Sequence, residues 1–228
     1  MKNILITGAS SATGIAVAKT FVDAGDRVLI VGSSAERIEA AAAASGAISR
    51  VADLSNPEEV AEVHEWIGGP LDGLVHLVGG WRGGGSIPEQ QDADWGFLSN
   101  AVIQTLRVTS REFFTELAEN AGRLTIVSST AVAAPTASNA NYVAAKAAAE
   151  AWTLAVAEGF AKHAGDSDSA AAFVFRVNSL LTDDMKTAQP ERTFPGYTHV
   201  DDLASRILEA FRQPGTGLNG TILDLTTS

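Results

Sequence analysis

The sequence predicts a doubly wound α/β fold: a single domain built on a parallel sheet of seven strands with helices on both faces. Three observations predict it. Seven short runs rich in Val, Ile and Leu alternate with longer amphipathic or alanine-rich stretches, the pattern of parallel strands joined by crossover helices. The alternation runs through the sequence without an internal repeat, an interdomain linker or a long low-complexity tract. The 228 residues, 46% of them hydrophobic, are enough for one full-sized core and do not call for a second domain.

Taken in order, the first strand is Asn-Ile-Leu-Ile-Thr at 3–7, stopped by Gly8. A helix over 14–24 follows a serine- and threonine-bearing turn, and a strand at 27–31 follows that. The alanine-rich stretch 35–45 stands behind Ser33-Ser34 and reads as a helix, with a strand at 48–52 after it. Asn56 and Pro57 open a helix over 57–67, and Gly73 opens a strand over 73–78. The remaining pairs are helix 94–120 with strand 123–127, helix 140–163 with strand 172–177, and helix 200–212 with strand 221–225. Residues 79–85 form a glycine-rich loop and 165–169 a polar one. Ligands of such open sheets bind beyond the carboxyl ends of the strands, so functional side chains are expected just after strands.

Composition removes several function classes. A net charge of −11, with both signs interspersed, does not suit nucleic acid, which is bound by clustered Lys and Arg. Without cysteine there are no disulfides, no thiol nucleophile and no thiolate metal site. His64, His76, His163 and His199 lack metal-ligand spacing, and no metal is expected. The apolar run at 4–6 is too short for a signal-peptide core and no stretch reaches membrane-spanning length, so a cytoplasmic protein without membrane contact is expected.

The first strand runs into Thr7-Gly8-Ala9-Ser10-Ser11-Ala12-Thr13-Gly14, a small-residue turn opening a helix. Small side chains let a backbone approach a pyrophosphate, and the free N–H groups and dipole of a helix N-terminus favour its charge. This turn resembles the fingerprint of the short-chain dehydrogenase/reductase family: Thr-Gly, three residues, Gly, one residue, Gly. Gly8 and Gly14 match, while Ala12 stands at the middle glycine and is compatible with the motif only where its φ is not positive. Asp53-Leu54 after the third strand matches the family's adenine-contacting pair, and Val78-Gly79-Gly80 stands where the family has Asn-Asn-Ala-Gly. The resemblance implies a Rossmann-type site for a nicotinamide dinucleotide, with Ser10, Ser11 and Thr13 beside the phosphates. A carboxylate at the end of the second strand would bond the ribose hydroxyls of NAD and repel the 2′-phosphate of NADP. Gly32, Ser33 and Ser34 stand there, with Arg37 one turn on, which favours NADP(H) over NAD(H); the alternative for Arg37 is a solvated helix charge.

Tyr142 and Lys146 lie four apart on the helix over 140–163, on one face and about a turn apart. A phenol of pKa about 10 is a poor base at neutral pH, and a nearby ammonium favours the phenolate. Alone, such a pair reads as a surface helix pair. Ser129 stands thirteen residues before Tyr142, at the end of the fifth strand, and Asn100 lies upstream in Asp-Trp-Gly-Phe-Leu-Ser-Asn, together resembling the family's Asn-Ser-Tyr-Lys tetrad. That resemblance implies that Ser129 orients the substrate oxygen and Tyr142 exchanges a proton with it. It further implies that Lys146 holds the nicotinamide ribose and that Asn100 fixes a water linking Lys146 to solvent. Ser128, one residue before Ser129, is expected to point to the opposite side of the strand.

After the sixth strand the family's Asn, Pro-Gly and Thr have only a partial counterpart in Asn178-Ser179-Leu180-Leu181-Thr182, where Thr182 is the match for the residue touching the nicotinamide. Residues 183–199 are then the substrate lid, with Phe194 and Tyr197 facing Trp81 across an aromatic pocket, or else packing beneath a loop. Arg82 is expected to be a solvated loop arginine, the other reading being a contact for an anionic substrate. The apolar face of the helix over 140–163 is, by the resemblance, a subunit interface in a homo-oligomer; the alternative is an ordinary buried helix. These readings converge on an NAD(P)-dependent oxidoreductase acting on a small carbonyl or alcohol. A dinucleotide-sensing or scaffolding protein on the same fold is the alternative.

Overall fold

The computed structural model describes residues 1–164 and 170–226, so the loop expected at 165–169 lies outside the described residues. Seven strands form one parallel sheet: β1 (Asn3–Thr7), β2 (Arg27–Gly32), β3 (Ile48–Val51), β4 (Gly73–His76), β5 (Arg123–Ser129), β6 (Ala171–Val177) and β9 (Ile222–Asp224). Their order is β3-β2-β1-β4-β5-β6-β9. β1 therefore lies between β2 and β4, in register Leu5 with Leu29 on one side and with Leu74 on the other. The chain reverses its direction of winding between β1 and β4, which opens a crevice at their carboxyl ends.

Alternation along the strands explains why both faces carry helices. Ile4 and Ile6 of β1 point to one face and Leu5 to the other, and all three are fully buried. Ile4 and Ile6 join α1 (Ala12–Asp23), α2 (Ala35–Ser45) and α8 (Val200–Arg212) through Val17, Phe21, Ile38 and Phe211. Leu5 joins α3 (Pro57–Ile67), α5 (Thr105–Glu119) and α6 (Ala140–Ala164) through Val63, Phe113 and Phe160. Phe211 packs edge-on against Phe21 at 5.3 Å and near Phe173 at 6.1 Å between ring centroids. Gly73 lies beneath it, where a Cβ would stand 2.5 Å from the ring.

The elements differ from expectation in four places that bear on function. β4 stops at His76 instead of continuing to 78: Leu77 still donates to the Thr7 carbonyl at 3.0 Å, and beyond it the backbone lies close against the turn at Gly8. β5 runs two residues further than expected, to Ser129. The helix expected over 94–120 begins earlier and is interrupted: α4 (Asp92–Leu98) passes through a π turn (Ser99–Gln104) into α5. Finally, residues 183–199 contain a helix, α7 (Asp183–Ala188), and a strand, β8 (Tyr197–His199), which pairs in parallel with β7 (Ser179–Leu181). Three-residue strands carry too little periodicity to be read from sequence.

Phe211→Ala is expected to cost about 3–5 kcal/mol through the cavity it leaves. That corresponds to a fall in Tm of roughly 10 °C for a chain of this size. Ile48→Ala, on the sheet edge with Ile48 49% exposed, should change stability by no more than about 0.5 kcal/mol. Thermal unfolding of both variants checks the assignment of core and edge, and equal losses would contradict it.

Candidate active site

The crevice between β1 and β4 is floored by a turn with no room for a side chain. Gly8 has φ +70°, and a Cβ there would lie 2.6 Å from the Val78 nitrogen; one on Gly14 would lie 2.4 Å from the Ala9 Cα. Ser11 caps α1, its Oγ accepting from the Gly14 N–H at 3.1 Å and donating to the Gly8 carbonyl at 3.2 Å. Ala12 begins α1 and is not among the described residues with positive φ, so the methyl that replaces the fingerprint's middle glycine causes no strain. The N-terminus of α1 offers N–H groups and a positive dipole end, as a pyrophosphate requires.

Two cavities meet over this turn, both bordered by Ser11, Leu77 and Gly79. The first, of about 580 Å³, gathers Gly8, Ser10, Ser33, Arg37, Asp53, Leu54, Val78 and Asn100. Asp53 has its carboxylate turned to Ser55, whose N–H and hydroxyl it accepts at 2.9 and 2.7 Å. Ser34 precedes α2 without a side-chain cap and is not among the described lining residues. The second cavity, of about 510 Å³, gathers Thr13, Gly80, Trp81, Ser129, Tyr142 and Lys146, together with Asn139 and Asn178. These residues fit a dinucleotide laid across the switch point: a glycine cradle that a Cβ would fill, with polar groups at both ends.

In the second cavity Ser129, Tyr142 and Lys146 are held from two elements, β5 and α6. Lys146 Nζ donates to the Val127 carbonyl at 2.8 Å and stands 5.9 Å from the Tyr142 ring centroid. Burial pulls the Lys146 ammonium down to about 8, while the carboxylate of Glu150, one turn along α6, opposes the shift. Burial raises the Tyr142 phenol above its ordinary value, and a hydrogen bond from the Ser129 hydroxyl works in the opposite direction. The Ser129 hydroxyl thus favours the phenolate, against burial, which favours the neutral phenol. Ser129 Oγ also accepts from the Ala131 N–H at 3.2 Å, which fixes its rotamer. Ser128 borders the same cavity, but its hydroxyl is buried with no partner among the described residues.

Other residues singled out in the sequence take different places. Asn100 sits in the π turn and lines the first cavity, with its carbonyl accepting from the Thr105 N–H. Thr182 caps α7, accepting from the Met185 N–H at 3.3 Å, and is not among the described residues lining either cavity. Phe194 and Tyr197 pack on each other at 5.4 Å, with the Arg192 guanidinium 5.1 Å from the Phe194 ring centre. Neither is among the residues lining the cavity with Trp81, so the expected facing aromatics are not brought together. Arg82 lies over the Phe97 ring at 4.4 Å and reaches Asp94 at 3.3 Å. Asn139 was not singled out in the sequence; its Oδ1 accepts from the Thr136 N–H at 2.8 Å in the turn before Tyr142. Its one sequence signal is its place at the mouth of α6.

Residues 2–166 match the model of the short chain dehydrogenase family, and the chain belongs to that family. It is therefore an NAD(P)-dependent oxidoreductase on a Rossmann-type sheet. It is 26% identical to an uncharacterized oxidoreductase, YvrD, of Bacillus subtilis (strain 168), over 96% of this chain and 93% of that protein. A 3beta-hydroxysteroid dehydrogenase of Mediterraneibacter gnavus is 33% identical over 70% of this chain and 61% of its own length. Among solved structures, a short chain dehydrogenase from Burkholderia cenocepacia J2315 in complex with NADP superposes with a TM-score of 0.82 at 28% identity, covering 100% of this chain and 98% of that one.

Burial at Lys146 has a measurable consequence. The ammonium is charged below its pKa and reactive as the free amine above it, so labelling of Lys146 by an amine-directed reagent should rise with a midpoint near pH 8. Residue-resolved mass spectrometry checks this; a midpoint near the ordinary lysine value of about 10.4 would contradict it.

Proposed function

We propose that Tyr142 is the general acid and base of this oxidoreductase, with Ser129 orienting the substrate oxygen and Lys146 holding the nicotinamide ribose. The convergence of the three side chains in one cavity, continuous with the glycine cradle, carries this reading. The dinucleotide supplies or accepts the hydride. In the reductive direction Ser129 donates a hydrogen bond to the carbonyl oxygen while the Tyr142 phenol gives it a proton. In oxidation the phenolate takes that proton back. A phenol raised by burial holds its proton until substrate binds, which suits the acid role. Lys146, pulled down by burial, exchanges a proton more readily than an ordinary lysine. Asn100, at the edge of the neighbouring cavity, is the proposed exit for that proton through a bound water.

The adenosine end is proposed to lie over Asp53-Leu54, with Ser33, Ser34 and Arg37 receiving a 2′-phosphate, so that NADP(H) is preferred to NAD(H). Apart from Tyr142 and Lys146, no ionisable side chain is among the described residues lining the second cavity, and Arg82 is engaged by Asp94 and Phe97. This supports a neutral carbonyl or alcohol substrate, with Trp81, 67% exposed, as an apolar wall. Residues 183–199, with Phe194 and Tyr197, are the proposed lid, and Thr182, at the start of α7, the proposed contact for the nicotinamide amide on closure. The shallow groove between α5 and α6 around Phe114 and Trp152 is the proposed subunit contact of a cytoplasmic homo-oligomer. No described helix is long and apolar enough to cross a membrane.

One kinetic experiment tests the chemistry and the cofactor choice together, following a panel of neutral ketones, aldehydes and alcohols by absorbance with each dinucleotide. Tyr142→Phe should lower kcat by about a hundredfold to ten-thousandfold with cofactor affinity kept. A variant retaining more than about a tenth of wild-type kcat would remove Tyr142 from the mechanism. NADPH should give the higher kcat/KM, and Arg37→Ala should narrow that preference by about tenfold, the worth of a hydrogen bond to a charged group. A preference for NADH would overturn the assignment of Ser33, Ser34 and Arg37.

A further inference from the structure

His76 closes β4 beneath the crevice, with 3% of its surface exposed. Its Nδ1 stands 2.8 Å from Thr7 Oγ1 and its Nε2 3.1 Å from Thr105 Oγ1. The Thr105 hydroxyl gives its single proton to the Ala101 carbonyl at 2.7 Å, so toward the ring it can only accept. The ring proton must then be on Nε2, leaving Nδ1 to accept from the Thr7 hydroxyl. Burial, and after it the charge of Lys146, pushes the imidazole down to about 3 and keeps it neutral at working pH.

The bonded chain Thr7, His76, Thr105, Ala101 joins two segments that border the first cavity. Thr7 precedes the left-handed Gly8, while Ala101 lies within the wide helical turn and Thr105 closes it, its N–H reaching five residues back to the Asn100 carbonyl. An apolar residue at 76 would strip the fully buried Thr7 hydroxyl of its partner and leave Thr105 without its donor. A π turn is under-wound relative to an α-helix and is rare unless something holds it. We propose that His76 is a positioning residue which, as the neutral Nε2–H imidazole, locks the π turn presenting Asn100 to the strand end that opens the dinucleotide turn. In assigning the catalytic part of its effect to Asn100, this rests on the proposed site; the tautomer does not.

Two independent measurements test it. The chain has four histidines, and long-range ¹⁵N NMR of the wild-type protein should show one imidazole protonated on Nε2 that does not titrate between about pH 5 and pH 8, across the ordinary histidine range. Calorimetric cofactor affinity, together with kcat at saturating cofactor, should fall by about tenfold or more in His76→Leu. In His76→Gln, whose amide nitrogen can donate to Thr105 from about the same position, both should stay within about threefold of wild type. If His76→Leu does not fold, Thr105→Val, which keeps the ring and removes its acceptor, should show the same two losses. A proton on Nδ1, a titration in that range, or a folded His76→Leu with both quantities near wild type overturns the proposal. If Tyr142→Phe stays active while the Nε2–H tautomer and the affinity loss are observed, the catalytic reading fails and His76 keeps its place.

Discussion

The structure depends on one close approach. The backbone of Gly8 passes so near Leu77 and Val78 that no side chain fits between them. β1 and β4 must nonetheless be neighbours, because their apolar faces are shared by helices packed on both sides of the sheet. The turn is the compromise: a residue with positive φ, then a capped helix, with the neighbouring strand ending beside it. Everything a dinucleotide needs at its centre follows from that geometry, since the crowding that excludes a Cβ also brings backbone N–H groups to the floor of the groove.

The proposed chemistry depends on how α6 is anchored. Tyr142, Lys146 and Glu150 follow one another at one-turn spacing. Each is tied to a different partner: the Ser129 hydroxyl, the Val127 carbonyl and the Arg176 guanidinium. Glu150 is 5% exposed and pairs through both oxygens with Arg176 on β6, at 2.9 and 2.5 Å. A buried pair of this kind adds little net stability but is costly to break from one side, so it fixes the rotation of α6 against the sheet. The start of the helix is held as well. The glycine-rich loop and the segment after it bind the turn before Tyr142, through Gly84 N–H to Ser138 O at 2.7 Å and Gln90 Nε2 to Ala137 O at 3.0 Å. Trp81 is thereby kept beside the cavity while its ring stays open to solvent.

What could be read from the sequence was what repeats or has a fixed spacing. The strands rich in Val, Ile and Leu and the helices between them follow from burial on both faces, and all seven strands were placed to within two residues at each end, among them β1 at Asn3–Thr7 without error. The spacing of Ser129, Tyr142 and Lys146 was legible because one strand end and one helix face bring them to a single cavity. The π turn was not legible: Ser99–Gln104 is apolar and polar in an ordinary helical pattern, and what widens it is a distant histidine acting through Thr105. His76 itself read as a histidine without metal spacing, since its two threonine partners lie 69 and 29 residues away. The region around Phe194 and Tyr197 failed for a related reason. Aromatic composition alone does not say whether rings face a pocket or each other, and here a two-stranded ladder of three residues a side turns them together.

One dinucleotide is proposed to span both cavities across the turn at Gly8, with its reactive end beside Tyr142. A crystal structure of the protein with NADPH bound tests it most directly. The pyrophosphate should lie over the N-terminus of α1, the adenosine phosphate beside Ser33 and Arg37, and the nicotinamide between Ser129 and Gly79. A dinucleotide bound in the opposite direction, or one whose nicotinamide lies outside the cavity lined by Ser129, Tyr142 and Lys146, would contradict it.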